Sequence, residues 1–96
     1  MTSSEMMEVN FSIHGLIAGR VLRLNTSVQL QGTATLTELL EVVGTQIGID
    51  ILTRLKEGSE NPVILLSGEN LDLPAGLEHP LQDGDEVAIL QAIAGG

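Results

Sequence analysis

Strict alternation of apolar and polar residues marks the stretch Glu8-Val9-Asn10-Phe11-Ser12-Ile13-His14. In an extended chain, Val9, Phe11 and Ile13 fall on one face and the polar residues fall on the other. A period of two residues is typical of a β-strand that buries one face and leaves the other in water. The stretch therefore predicts a strand with one wet face.

A second alternating run covers residues 20–30 and follows a short connection bounded by Gly15 and Gly19. The apolar face of this run consists of Leu22, Leu24, Val28 and Leu30. Two alternating runs joined through a short glycine-bounded loop are typical of a β-hairpin. We therefore expect the two runs to pair as antiparallel strands.

The hydrophobic period becomes helical after Gly32. Thr35 and Glu38 have the spacing of a capping box, in which the two side chains satisfy free amides of a first helical turn. Apolar residues then recur at helical spacing on one face, at Leu36, Leu39, Leu40, Val43 and Ile47. We expect Gly48 to help end this helix. Residues 50–57 predict a short second helix whose inward-facing side chains are Ile51, Leu52 and Leu55.

The second half of the chain predicts two further strands. The apolar run Val63-Ile64-Leu65-Leu66 is bounded by turn residues and predicts a central strand buried on both faces. Residues 67–70 predict a turn, and the irregular residues 71–81 leave room for a short edge strand. Asp83-Gly84 is a tight-turn signal, and residues 86–90 are expected to form the last strand.

This order of elements allows one economical packing. A mixed sheet of four or five strands lays its apolar face on one main amphipathic helix, in the two-layer α+β manner. The first and last strands would pair in parallel through the long helical connection. We therefore predict the β-grasp, or ubiquitin-like, architecture over residues 8–90, with a disordered lead-in over residues 1–7 and a flexible tail over residues 91–96.

Composition narrows the class of protein. A chain of 96 residues fits one domain, and its 43% hydrophobic content argues against disorder. The net charge of −9 and the single aromatic residue, Phe11, argue against a nucleic-acid ligand. The absence of cysteine excludes a disulfide, a thiolate nucleophile and a cysteine metal site. The first residues match neither a secretory signal nor a membrane span, so we expect a cytoplasmic protein.

Charge is distributed unevenly along the chain. Every basic residue lies in its middle, at Arg20, Arg23, Arg54 and Lys56, whereas the part from Glu57 onward carries acids and no Lys or Arg. This acidic half predicts a basic docking surface on a protein partner, because complementary charge mainly speeds encounter and selects partners. Ordinary solubilising charge is the alternative.

The chain ends in Gly95-Gly96, directly after the last predicted strand. Residues without side chains can thread a narrow channel and present a free carboxylate to an active site, whereas a terminal glycine pair serves no turn. A frayed tail of small residues is the alternative interpretation.

The residues before the tail resemble a known family. The stretch 80–90, Pro-Leu-Gln-Asp-Gly-Asp-Glu-Val-Ala-Ile-Leu, followed by Ala92-Ile93-Ala94-Gly95-Gly96, is similar to the C-terminal signature of the MoaD/ThiS sulfur carriers. The stretch 63–70 is similar to that family's third strand and following turn. Many molybdopterin-type carriers have proline before the tail, where this chain has Gln91-Ala92, so the branch of the family stays open.

The resemblance implies a carrier, such as the small subunit of a synthase complex, and not an enzyme. An E1-like adenylyltransferase would adenylate the Gly96 carboxylate with its own ATP, and this chain would bind no cofactor or metal. A sulfurtransferase or cysteine desulfurase would then supply sulfur to form a thiocarboxylate. An acceptor synthase subunit would use that sulfur in molybdopterin, thiamine-like or tRNA-thiolation biosynthesis.

The residues agree with such a division of labour. Activating a carboxylate requires a preorganised site for the tetrahedral intermediate, and this chain shows none. We expect Leu90, Ile93 and Ala94 to bind the partner, since interfaces concentrate their energy in a few buried anchors. Filling the core face of the sheet is the alternative role for Leu90.

Two other functions remain open. A ubiquitin-like modifier would join Gly96 to lysines of target proteins, and its self-chains would have only Lys56 as an acceptor. The third possibility is a plain β-grasp interaction module, whose function would be unaffected by a residue added after Gly96. His14 and His79 have no catalytic or ligand spacing, and Asp83-Gly84-Asp85 is better explained by a hairpin turn than by a calcium loop.

Overall fold

The computed structural model describes residues 6–58, 61–73 and 75–91. These ranges hold five strands, two α-helices and a short 3₁₀ helix. In chain order they are β1 (Met6–Ile17), β2 (Arg20–Gln31), α1 (Leu36–Ile47), α2 (Ile51–Glu57), β3 (Val63–Leu66), β4 (Glu69–Asn70), the 3₁₀ helix (Ala75–Glu78) and β5 (Glu86–Leu90).

The strands form one mixed sheet in the order β2-β1-β5-β3-β4. β1 pairs with β2 in antiparallel and with β5 in parallel, and the parallel register runs from Asn10 opposite Glu86 to His14 opposite Leu90. β5 also pairs with β3 in antiparallel. The predicted hairpin, the predicted parallel pair and the β-grasp architecture are all confirmed.

The core lies between one face of the sheet and the helices. Val9, Phe11 and Ile13 of β1 are fully buried, as their alternation predicts. The inward face of α1 is also as predicted, with Leu36, Leu39, Leu40 and Val43 buried. Among the described residues no polar or charged side chain is buried. The core is therefore aliphatic apart from Phe11, and shape rather than polar pairing determines its packing.

Local signals fix the ends of both helices. At the start of α1, the Thr35 backbone N–H donates to Glu38 Oε1 at 3.1 Å, and Gly48 closes the helix with a left-handed φ of 76°. At the start of α2, Asp50 Oδ1 accepts from the Thr53 N–H at 3.1 Å. Neither helix in the described part of the chain is long and apolar enough to cross a membrane.

The first hairpin is longer than predicted. β1 begins at Met6 and continues to Ile17, so Gly15 lies inside the strand and does not bound the connection. The turn consists of Ala18 and Gly19, which have φ angles of 56° and 75°. Such paired left-handed residues match the twist of two-residue hairpin turns.

The prediction of a doubly buried β3 is wrong. Val63 is 44% exposed and Leu65 is half-buried, while Ile64 and Leu66 face the core. The helices cover only one face of the sheet, so alternate residues of this apolar run face water. The predicted turn at residues 67–70 is also shorter, since Glu69–Asn70 forms the edge strand β4 before the irregular segment begins.

Candidate functional site: the end of β5 and the open face of the sheet

β5 carries the chain to the tail from an inner position in the sheet. Its residues are paired on one side with β1 and on the other with β3. Val87 and Ile89 point into the core and are almost completely buried. The root of the tail is therefore attached to the body of the domain by two strand ladders and by core packing.

A β-turn over residues 82–85 positions the start of β5. The Asp85 N–H donates to the Gln82 carbonyl at 3.0 Å, and Asp83 Oδ1 accepts from the Glu8 N–H at 2.8 Å. The turn signal is thus confirmed, but the turn leads into a strand that runs parallel to β1, so it does not form a hairpin. Its carboxylates bind backbone amides of this chain and need no calcium ion for their geometry.

Ser67 forms hydrogen bonds with the start of β5, on the side that pairs with β3. Its backbone N–H donates to the Glu86 carbonyl at 2.6 Å, and its hydroxyl Oγ accepts from the Glu86 N–H at 3.3 Å. Ser67 has a left-handed φ of 48°, which non-glycine residues adopt at some cost. The turn between β3 and β4 is therefore bonded to β5 through Ser67, which contacts both the carbonyl and the amide of Glu86.

Leu90 lies on the face of the sheet that the helices leave uncovered, and its side chain is 41% exposed. The interpretation that Leu90 fills the core is wrong, because Val87 and Ile89 occupy the inward positions of β5. Its role as a partner anchor stays a prediction. The other predicted site residues, Ile93, Ala94, Gly95 and Gly96, lie outside the described residues.

We call this uncovered side the open face. Its side chains come from alternate positions of every strand, and those in the described chain are all exposed or half-buried. Apolar residues gather at the end of the face where β5 stops. This apolar patch consists of Leu16, Val21, Val63, Leu65 and Leu90.

Charge on the open face is segregated by sign. His14 and Arg23 are directly opposite each other on β1 and β2, and His14 is also the partner of Leu90. The acids Glu8 and Glu86 lie toward the other end of the face, with Glu86 four residues before Leu90, which is about 13 Å along a strand. On this face, the described neighbours of the tail root are thus apolar and basic. The acidic half of the sequence does not surround it there.

Gly15 and Gln91 form a contact that the sequence interpretation missed. The Gln91 N–H donates to the His14 carbonyl at 2.9 Å, and a side chain on Gly15 would collide with the Gln91 carbonyl oxygen. A glycine inside an alternating strand often marks the close approach of another backbone. That signal was present at Gly15, but the sequence could not name the approaching residue.

The two histidines and the acidic residues form no metal-binding cluster in the described ranges. His14 and His79 are both exposed and far apart in the chain, and within residues 6–58, 61–73 and 75–91 no group of three His, Asp or Glu side chains could hold a metal ion. A shallow cleft lies between α1 and α2, lined by Leu40, Gly44, Ile49 and their neighbours. Its Asp50 carboxylate caps α2, and hydrogen bonds from the Thr53 side chain and amide lower the pKa of Asp50.

Comparison with solved structures supports the fold. The chain is similar to the HVO 2177 protein of Haloferax volcanii (22% identity, TM-score 0.66, covering 95% of this chain and 88% of that one). It is also similar to the small archaeal modifier protein 1 of Methanosarcina acetivorans (25% identity, TM-score 0.55, covering 96% and 99%). The C-terminal ubiquitin-like domain of mouse tubulin-specific chaperone e shares the fold at 11% identity (TM-score 0.55, covering 100% and 96%).

A comparison with curated protein sequences finds no match. The model of the ThiS family matches residues 16–96, a range that includes most of the sheet, both helices and the glycine pair. A β-grasp body, a tail rooted on an inner strand and a family match over most of the length agree with one another. The chain therefore belongs to the ThiS family.

Proposed function

We propose that this protein is a sulfur carrier whose Gly96 carboxylate is activated and thiolated by partner proteins. One observation carries the proposal. β5 is held on both sides and stops at the exposed Leu90, so that the residues leading to Gly95-Gly96 follow directly from a fixed point on the body. Fully extended, residues 91–96 span about 20 Å, which is enough to reach a buried site in a docked partner.

The chemistry divides between the carrier and its partners. The Gly96 carboxylate attacks the α-phosphorus of ATP, pyrophosphate leaves, and an acyl adenylate forms. A persulfide from a sulfurtransferase or cysteine desulfurase then displaces AMP, and reduction of the sulfur–sulfur bond by a thiol leaves a thiocarboxylate. Preorganised donors for these steps belong to an E1-like adenylyltransferase, and an acceptor synthase subunit consumes the product.

The apolar patch provides the docking surface in this proposal. Leu90 and Val63 present adjacent, exposed aliphatic side chains, and removing such apolar area from water in a complex favours binding. Ile93 and Ala94 would extend the same contact along the tail. Arg23 and His14 border the patch, so an E1-like partner should offer an apolar surface with an acidic group opposite Arg23.

Intact-mass spectrometry tests the carrier function. The chain is incubated with ATP, an E1-like protein and a sulfur donor, and we expect the mass gain of one oxygen exchanged for sulfur, localised to Gly96 by fragmentation. Variants that lack Gly96, or that carry one alanine after it, should show no gain. An unchanged terminus under conditions that thiolate another ThiS-family carrier would overturn the proposal.

A second candidate is a ubiquitin-like protein modifier, which the similarity to small archaeal modifier protein 1 favours. In this function an amine of a target lysine, rather than sulfur, displaces AMP from the activated Gly96 and forms an isopeptide bond. Peptide mapping of adducts that survive thiol treatment would detect that bond. A plain interaction module would give neither product, and the alanine-extended variant would then behave like the wild type.

A further inference from the structure

Gly15 and Gln91 lie next to each other at the point where β5 ends and the tail begins. β5 keeps its register beside β1 up to Leu90, which is opposite His14. The next amide, that of Gln91, still donates to the His14 carbonyl at 2.9 Å. Gln91 is therefore the last described residue that the ladder with β1 holds, and it lies beside Gly15.

Only glycine fits at position 15. Its φ of +139° is a conformation that residues with side chains rarely adopt. A Cβ atom there would also overlap the Gln91 carbonyl oxygen, and it would lie 2.7 Å from the Gln91 carbonyl carbon and 2.8 Å from its Cβ. The Gln91 backbone thus occupies the space in which a side chain of residue 15 would stand.

The position of Gln91 has a large effect further along the chain. Residues 92–96 start from its peptide group, and they span about 16 Å when extended. When a partner's channel holds those residues extended, a tilt of about 20° at Gln91 would move Gly96 by about 6 Å relative to the docked body. Misplacement of a reacting group by about 1 Å can reduce a rate about 100-fold.

We propose that Gly15 is a positioning residue for the activation of Gly96, because its missing side chain leaves the room that sets the course of the chain at Gln91. This inference rests on the proposed carrier function. In that function Gly15 acts through Gln91 and touches neither ATP nor the reacting carboxylate.

Gly15→Ala tests the inference, and Gly19→Ala is its matched control. Both glycines lie in the first hairpin at positive φ, but nothing lies within 4 Å of a Cβ atom added to Gly19. We expect Gly15→Ala to lose hydrogen-exchange protection at the Gln91 amide while Val87 and Ile89 stay protected. We also expect kcat for adenylation to fall at least tenfold with a smaller rise in KM, since the variant leaves the apolar patch on the open face unchanged but redirects the tail. Gly19→Ala should alter neither kcat nor KM.

A thermodynamic cycle keeps the inference testable if Gly15→Ala folds poorly. Removing residues 91–96 removes the colliding group, so the loss of Tm caused by Gly15→Ala should be at least halved in the shortened chain. Gly19→Ala should cost the same Tm in both lengths. The exchange and Tm measurements need no sulfur chemistry, so they fail separately from the carrier function. Equal losses in both lengths, a protected Gln91 amide, or normal kcat in folded Gly15→Ala would overturn the inference.

Discussion

Leu90 of β5 lies directly opposite Val63 of β3, and the two side chains are 41% and 44% exposed on the open face. Directly opposed residues on one face of a sheet have neighbouring side chains. Two large aliphatic side chains are thus adjacent and exposed to solvent immediately before the tail. This pair gives the proposed docking surface a defined centre.

We predict that Leu90→Asp weakens the E1-like partner's affinity at least tenfold without lowering the domain's stability appreciably. Leu90 is exposed in the free domain, so a carboxylate there stays hydrated, but it would have to be desolvated in the complex. Titration calorimetry with the partner measures the effect. Val42→Asp is the matched control, since Val42 is 36% exposed on α1, and equal losses of affinity in the two variants would contradict the patch.

Replacing Gly44 of α1 with alanine should destabilise the domain, contrary to the usual effect of this substitution in a helix. Alanine in place of glycine inside a helix ordinarily stabilises by about 1 kcal/mol. A Cβ atom on Gly44, however, would lie 2.7 Å from the Ile49 carbonyl oxygen. We therefore expect Gly44→Ala to destabilise the domain by about 1 kcal/mol or more, as overpacked sites do. Urea unfolding measures this, and Thr45→Ala on the same helix should not destabilise it; a gain in stability from Gly44→Ala would show that the chain after α1 gives way.

Asp50 should make stability depend on acid pH. Hydrogen bonds from the Thr53 side chain and then from its amide lower the pKa of Asp50 below 3.8. A carboxyl group whose pKa is depressed by folding stabilises the folded state above its unfolded pKa, and this contribution is lost as the pH falls through the folded pKa. The Tm gap between wild type and Asp50→Ala should therefore be constant near neutral pH and narrow below pH 3.8.

Asp50→Asn is the control for that measurement. Asparagine is also a good helix N-cap but does not titrate, so the gap between Asp50→Asn and Asp50→Ala should keep its size in acid. A gap between wild type and Asp50→Ala that stays unchanged on acidification would argue against a charge-assisted cap.

Asp83 should matter for stability even though it lies in an exposed turn. Its Oδ1 accepts from the Glu8 N–H at 2.8 Å and so connects the turn before β5 to β1. We expect Asp83→Ala to lower the free energy of unfolding by about 1 kcal/mol and Asp83→Asn to cost less, since the amide retains an acceptor oxygen. Asp72→Ala, at another exposed acid, should be nearly silent in the same denaturation series; a silent Asp83→Ala would show that water replaces the bond.

The fold could be predicted because its signals are local and agree with one another. The alternation of Val9, Phe11 and Ile13 fixes which face of β1 is buried, and the helical spacing after Thr35 supplies the element that covers it. Once those faces are set, a strand after a long helical connection pairs with β1 in parallel. Each signal is present in a short window, and no window contradicts another.

The predictions that failed concern two matters. One is which faces of the sheet the helices cover, and the other is which distant parts of the chain contact each other. A run such as Val63–Leu66 is apolar throughout, but only the extent of the helical layer decides whether both faces are buried. Gly15 lies in a strand, and the backbone that fills its side-chain space comes from Gln91, near the other end of the sequence. The proposed role of Gly96 rests on its chemistry, and that signal carries no information on where the residue lies relative to the fold.

The pairing of β1 with β5 also determines when this domain can fold. Asn10 meets Glu86 only after β2, both helices, β3 and β4 have been synthesised, and contacts of such long sequence separation form late because loop closure must precede them. A nascent chain on the ribosome can close the β1–β2 hairpin but cannot yet supply the strand that lies on its other side. Partially synthesised copies therefore lack the inner strand that completes the sheet, and they have no finished surface to offer a partner.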